Sequence, residues 1–398
     1  MKVCIITAQL PPIRCGVGDH TVQLANTLAA RGDEVVVLTG RTQVAEVLDA
    51  RFTVRNRLPG WGVAGMRQLW REIRHERPDV VLLQWVPFLY SRTGTNIVLP
   101  FTLALLSLTG VPMHVMVHEP WVPFTRWSFC LTGPIQRFAL ATLVTAADRV
   151  GVSIERWVGL LRSRIPWKRR AIHWVPVGSN IPVEPRETER LRAALDIPSS
   201  APIVGVFSLF GSAKGYPLIS AAWEQLAACT DEPYIVLIGA SAEEANVHLP
   251  AVASHRRCRT TGYLSSADVS RWLSELSLLV APFMDGVSSR RGSVMAALAH
   301  GVPVVSTRGS HTDSLFLDSP LRLSSTDPDA FAETARALYF DTVNRVALGA
   351  ASARFYERHF AWSVIADQLL PRTANVQTLE RLAVRGPRAG RNLNGRVE

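Results

Sequence analysis

Short β-branched apolar runs alternate with longer amphipathic stretches along almost the whole chain. In the first half, "KVCIIT", "EVVVLTG", "FTVRN", "DVVLLQW", "MHVMVH", "RVGVS" and "IHWVPV" have the length and composition of strands. Helical patterns such as "DHTVQLANTLAARG" separate them. The rhythm pauses at Val175–Glu187, "VPVGSNIPVEPRE", which is rich in Pro, Gly and Ser, and resumes with "IVGVFS", "YIVLIG", "TTGYL", "LLVAPF" and "PVVST". Repeated strand-then-helix units predict parallel sheets covered by helices, and the pause marks a domain boundary. The expected fold class is therefore α/β, with two Rossmann-like, doubly wound parallel-sheet domains, residues 1–180 and 185–365, facing across a cleft. Residues 366–398 are expected to form a closing helix and a basic, partly disordered tail. The longest apolar stretch, "NIVLPFTLALLSLTGVPMHVMV", contains prolines and polar residues, so it reads as a buried helix followed by a strand and not as a membrane span.

At 398 residues the chain is too long for one ordinary core, in keeping with two domains. Cys4, Cys15, Cys130, Cys229 and Cys258 are scattered with no C-x-x-C, which predicts free thiols in a reducing compartment and no zinc or other metal site. The opening "MKVCIITAQLPP" reads as a first strand instead of a secretory leader, so a cytoplasmic location is expected. A net charge of +10 asks for a partner. Basic residues cluster in the tail "RLAVRGPRAGRNLNGRV" and in Arg162–Arg170, "RSRIPWKRR", where Trp157, Ile165 and Trp167 interleave with them. That cluster suits peripheral contact with an anionic membrane at its cytoplasmic face; the alternative is a solvated helix face with two packed tryptophans. No nucleic-acid recognition module accompanies the charge, which speaks against nucleic acid.

Open α/β sheets present ligand-binding groups beyond the carboxyl ends of their strands, so the residues just after each apolar run are the candidates. In "PPIRCGVGDHTVQLA", the residues Gly16, Val17, Gly18 and Asp19 form a glycine turn whose N–H groups face an anion or a sugar, or else only pack helix on strand. It is no dinucleotide fingerprint, because Thr21 takes the third glycine's place. "VMVHEPW" sets His118 and Glu119 behind a strongly apolar strand; such a histidine hydrogen-bonds a sugar hydroxyl, polarises a reacting group, or caps a carbonyl. "LLQWVPF" offers Gln84 as a hydrogen-bonding group and Trp85 as either a stacking face or a core residue. "FSLFGSAKGYPLI" brings Lys214 close to a helix N-terminus, where a cation is unfavourable unless an anion lies between them, and it lacks the Walker A spacing.

"APFMDGVSSRRGSVMAALAHGVPVV" repeats that logic in stronger form. A buried strand ends, Asp285-Gly286 turns, and a helix runs to Gly301 with Pro303 beyond. Ser288, Ser289, Arg290, Arg291, Gly292 and Ser293 thus stand at a helix N-terminus beyond a strand's carboxyl end. Two arginines there oppose the helix dipole, and a phosphate-bearing ligand removes the conflict. An interdomain salt bridge is the alternative.

In sequence order, "PPIRCGVGDHTVQLANTLAARGDEVVVLTG", "VHEPWVP", "VPVGSNIP", "AKGYPLI", "TGYLSSADVSRWLSELSLLVAPF" and "GSVMAALAHGVPVVST" resemble the elements of the family 4 glycosyltransferases, which have the GT-B fold. The resemblance runs from Val3 to about Leu370. It implies transfer of a sugar from a nucleotide diphosphate sugar with retention of anomeric configuration, without metal or cofactor, in polysaccharide or glycoconjugate biosynthesis. His118 matches the histidine beside the donor hexose, Lys214 the lysine on the donor diphosphate, and Gly16 and Gly18 the glycine loop. Joined to the helix-start and strand-end positions, the resemblance makes His118, Asp285 and Lys214 the expected catalytic set, Ser288 to Ser293 the expected further diphosphate ligands, and Gln84 and Glu119 the expected substrate contacts.

The departures are specific. Leu209 stands where the family has an arginine five residues before the loop lysine. Of the two glutamates spaced E-x7-E, the second is missing: Ala296 occupies it in one alignment, and Asp285 with Ser293 in another. Arg290 or Arg291 is inferred to replace the absent arginine, since a departing diphosphate needs positive neighbours. Two other readings stay open: a degenerate GT-B protein that binds a nucleotide sugar or partner without turnover, and a sugar-nucleotide epimerase, whose acid and base carboxylates are not located. The acceptor is a glycan, a lipid-linked sugar or a small molecule.

Overall fold

A computed structural model describes residues 1–41, 50–122, 127–207, 215–229 and 232–372. Seven strands, β1 (Lys2–Ile6), β2 (Glu34–Gly40), β3 (Thr53–Leu58), β4 (Val80–Trp85), β5 (Met113–Val117), β6 (Arg149–Val152) and β7 (Ile172–Trp174), form one sheet in the order β3-β2-β1-β4-β5-β6-β7. Six more, β8 (Ile203–Phe207), β9 (Tyr234–Ile238), β10 (Cys258–Thr260), β11 (Leu278–Ala281), β12 (Val304–Thr307) and β13 (Arg322–Ser324), form a second in the order β10-β9-β8-β11-β12-β13. Every pairing is parallel. The sheets are therefore open and doubly wound, and each reverses its strand order once, between β1 and β4 and between β8 and β11. Crevices for ligands open at such reversals.

Helices α1 (Gly16–Ala30), α2 (Val63–Glu76), α3 (Val98–Ser107), α4 (Trp127–Ala146) and α5 (Glu155–Arg164) cover the first sheet. Helices α6 (Thr188–Ala194), α7 (Tyr216–Ala227), α8 (Ala242–His248), α9 (Pro250–Ala253), α10 (Ser266–Ser274), α11 (Gly292–Ala299), α12 (Pro328–Phe340) and α13 (Thr342–His359) belong to the second half. The last helix, α14 (Trp362–Leu369), crosses back: Ile365, Ala366 and Leu369 complete a core with Val3, Ile5 and Leu24. Polar bonds pin it there. Arg31 donates to Asp367 Oδ1 at 2.9 Å and to the Leu370 carbonyl at 3.0 Å, and His114 Nδ1 donates to the Leu369 carbonyl at 2.9 Å.

Strands covered by helices on both faces read as continuous apolar runs, which is why β1, β4 and β11 were visible in the sequence. β13 was not: three residues including an exposed arginine carry no strand signal. "TTGYL" is corrected, since β10 ends at Thr260 and Gly262 turns the chain with φ of +64°. Helix α3 is corrected too. Leu99, Leu103 and Leu106 are buried, but Phe101, Leu105 and Leu108 are 45, 59 and 81% exposed, so the helix is apolar on its outer face as well. Its neighbour α4 repeats the pattern with Trp127, Leu131 and Phe138, and the Phe101 and Phe138 rings lie 5.8 Å apart. Among the described residues no helix is long and apolar enough to cross a membrane.

Candidate active site

A cavity of about 670 Å³ lies between the two sheets, lined by Asp19 and Gln23 of α1 on one side and by Arg290, Arg291, Gly292 and Ser293 on the other. Each wall is a helix start beyond a strand at a reversal of strand order. α1 begins at Gly16 after β1, so Gly16, Val17 and Gly18 form its first turn and not the separate loop the spacing suggested. A Cβ on Gly16 meets nothing within 4 Å, whereas one on Gly18 comes 3.0 Å from the Gln9 carbonyl oxygen: the first glycine leaves space, the second packs helix on strand. α11 begins at Gly292, and a Cβ there also meets open space. Unpaired N–H groups at such a start attract anions. Asp19, in the first turn of α1, is partly desolvated, which raises its carboxyl pKa.

His118 closes the inner end of the first-domain wall. It is only 6% exposed and bonds Gln84 Oε1 through Nε2 at 2.7 Å. An amide oxygen only accepts, so Nε2 carries the proton. Burial first, and the Arg290 charge second, hold the His118 pKa down to about 3, which keeps the ring neutral. Gln84 is wholly buried behind it and has no surface for substrate; this corrects its expected role to orienting His118. Trp85 is 1% exposed and belongs to the core, so it offers no stacking face. His20, absent from the expectations, is also fully buried: its ring stands edge-on to His118 at 4.6 Å and to Trp362 of α14 at 5.0 Å. The i, i+4, i+8 row His20, Leu24, Leu28 on the buried face of α1 was its available signal.

The turn between β11 and α11 divides into two jobs. Ser289 is buried, donates its hydroxyl to the Ser153 carbonyl of the first domain at 2.7 Å, and gives its N–H to Asp313 Oδ2 at 2.7 Å. Asp313 also accepts the Glu155 N–H at the start of α5 at 2.8 Å, and Glu155 in turn accepts the Ser314 N–H at 2.7 Å. Burial pushes the Asp313 carboxyl up to about 6. Ser289 thus forms an interdomain seam and is not free to hold a diphosphate, which corrects that expectation, while Ser288 is fully buried with its hydroxyl left without a hydrogen-bond partner among the described residues.

The arginines and Ser293 remain at the cavity. Arg291 is ion-paired with Asp285 and lies 4.4 Å over the Phe283 ring, while His311 Nδ1 bonds the other Asp285 oxygen at 2.9 Å. Arg290 reaches across the cleft to Glu119 Oε1 at 2.7 Å and lies 5.3 Å over the ring of Trp157. Trp157 therefore faces the cleft side of α5, which removes it from the expected surface cluster, while Trp167 stays 66% exposed. Tyr263, in the stretch first read as strand, lines the cavity, and the Arg14 guanidinium of the facing domain lies 3.6 Å over its ring. Lys214 and Leu209 lie outside the described residues, as does the basic tail from residue 373.

Residues 15–181 match the family model "Glycosyltransferase Family 4", and residues 201–341 match "Glycosyl transferases group 1". The chain is 22% identical over 198 residues to a GDP-mannose-dependent monoacylated alpha-(1-6)-phosphatidylinositol monomannoside mannosyltransferase of Corynebacterium glutamicum, a match spanning 47% of this chain and about half, 51%, of that protein. It is 25% identical over 398 residues to a phosphatidyl-myo-inositol mannosyltransferase of Mycobacterium leprae, covering 93% of this chain and 96% of the relative. Its fold is that of the sucrose-phosphate synthase from Thermosynechococcus elongatus, with a TM-score of 0.67 at 17% identity over 96% of this chain and 99% of the other.

Proposed function

We propose that this chain, a glycosyltransferase of GT-B fold whose first half matches family 4 and whose second half matches the group 1 glycosyl transferases, moves a hexose from a nucleoside diphosphate sugar to a lipid-linked acceptor at an anionic membrane. The observation that carries the donor half is the α11 start: open space beside Gly292, with two arginines on the same cavity wall. In this reading the diphosphate lies there, Lys214, which the family resemblance assigns to the diphosphate, adds its charge, and the hexose points toward His118 and Asp285. The bond between the sugar C1 and the diphosphate oxygen breaks as the acceptor oxygen bonds C1 on the same face. The acceptor proton passes to the departing oxygen, and configuration is retained. Arginines and N–H groups steady the departing charge, so the reading requires no metal. A protein without turnover is not favoured, because both family models and both curated relatives are of transferring enzymes.

The acceptor half rests on the outer faces of α3 and α4 and on their flanks. Arg67, Arg71 and Arg74 are exposed on α2, which packs beside α3, and exposed Arg169 and Arg170 follow the turn that packs beside α4. Apolar rows bordered by cations fit a surface of anionic lipid, and the names of both curated relatives specify phosphatidylinositol-type acceptors. To test the whole, the purified chain is incubated with anionic lipid extract and labelled GDP-mannose, UDP-glucose, UDP-galactose or UDP-N-acetylglucosamine in turn. One donor should carry label into the organic phase. Failure of every donor to be either transferred or hydrolysed would overturn the proposal.

A further inference from the structure

The cations on which the donor reading depends already have carboxylate partners within the chain. Arg291 is bound inside its own domain: 14% of its side chain is exposed, Asp285 pairs with it, and Phe283 lies under it. Arg290 has its partners in the other domain. Its guanidinium meets Glu119 at 2.7 Å and the face of Trp157 at 5.3 Å, and the two charged side chains are 31 and 48% exposed. A diphosphate arriving at the start of α11 adds negative charge to a wall whose positive charges already have carboxylate partners. One ion pair must then open. The pair with the more exposed carboxylate costs least to open, because water takes over the released carboxylate. Glu119 is 48% exposed against 34% for Asp285, and Glu119 bonds one side chain, Arg290, where Asp285 bonds two, Arg291 and His311.

We propose that Glu119 is an internal stand-in for the donor diphosphate: it pairs with Arg290 until donor binds and then hands it over. Glu119 then sets donor affinity by competing for Arg290, which reverses the substrate-contact role expected of it from the sequence. The exchange also converts an interdomain tie into a donor contact, so filling the donor site loosens one of the links between the domains. The inference rests on the reading that places the diphosphate at the start of α11.

The test is a calorimetric titration of UDP and of GDP, separately, into the full-length wild-type chain, Glu119→Gln, Arg290→Ala and the double variant, with thermal melting to confirm folding. Removal of a half-exposed competing pair should tighten binding about two- to fivefold in Glu119→Gln. Arg290→Ala should weaken it about tenfold or more. In the Arg290→Ala background, Glu119→Gln should change nothing, since its effect passes through that arginine. Unchanged or weaker binding in Glu119→Gln, with Arg290→Ala still weak, overturns the exchange and leaves the donor site standing. Unchanged binding in Arg290→Ala, or no binding of either nucleotide to the wild type, overturns both.

Discussion

Two buried histidines in edge contact are both held neutral by their burial, and that neutrality has a thermodynamic consequence. Burial lowers the pKa of His20 well below its ordinary value and that of His118 to about 3. In the unfolded chain each titrates near 6.5. Between these limits the unfolded state binds more protons than the folded one, so stability falls as pH drops below about 6.5 and keeps falling toward pH 3. For His118 alone the loss at pH 5 is about 2 kcal/mol. Replacing His118 with Gln removes its share, and urea unfolding from pH 8 to 5 should therefore be shallower in the variant; identical slopes would mean that the ring titrates freely. Strand-end position made His118 legible in the sequence as a site residue. Its partners were not legible, because Gln84 and His20 come from separate elements and only packing brings them to it. The same holds for Arg290 and Glu119, which are 171 positions apart.

The turn from β11 into α11 works as an element because two backbones touch. Gly286 has φ of +91°, and a Cβ there would stand 2.4 Å from the Gly309 nitrogen; one on Gly309 would stand 2.5 Å from the Asp285 carbonyl carbon. The Val287 N–H to the Thr307 carbonyl at 2.9 Å and the His311 N–H to the Asp285 carbonyl at 2.7 Å lock the two loops together. Gly286→Ala meets both a left-handed backbone and a backbone clash, so it should lower stability by about 2 kcal/mol or more. Gly301→Ala shares the left-handed φ of +66°, but its nearest contact is 3.2 Å, and it should cost less. Chemical denaturation of the two variants checks the order; equal losses would show that φ and not contact governs the turn. Asp-Gly after an apolar strand announced this turn in the sequence, but nothing local announced that Gly309 closes on it. Helix α3 shows the converse limit. Apolar residues on every face read as a wholly buried helix, and only the observed exposure of Phe101 and Leu105 shows that one face is left uncovered.

At the scale of the whole molecule, the seam through Ser289, Asp313 and Glu155 holds the donor wall against the first domain, and α14 ties the end of the described chain to that domain's core. The apolar outer faces of α3 and α4 lie on that first domain, which also supplies the Asp19 wall of the cleft. An acceptor whose lipid part stays in the membrane can then reach the cleft only if the first domain sits on the bilayer. Burying one large apolar side chain is worth about 1.5–3 kcal/mol, so under the proposed membrane docking a pair of them would decide whether the protein stays bound. The double substitution Leu105→Asp with Leu131→Asp places charge on side chains that are 59 and 69% exposed, so thermal melting should stay close to wild type. Co-sedimentation with phosphatidylglycerol-containing vesicles should drop at least about tenfold, and nucleotide binding should be kept. Wild-type binding should also weaken as salt is raised, because the flanking arginines act through screened charge. Equal sedimentation of variant and wild type would detach the α3–α4 face from the membrane and leave the acceptor to be sought among soluble glycans.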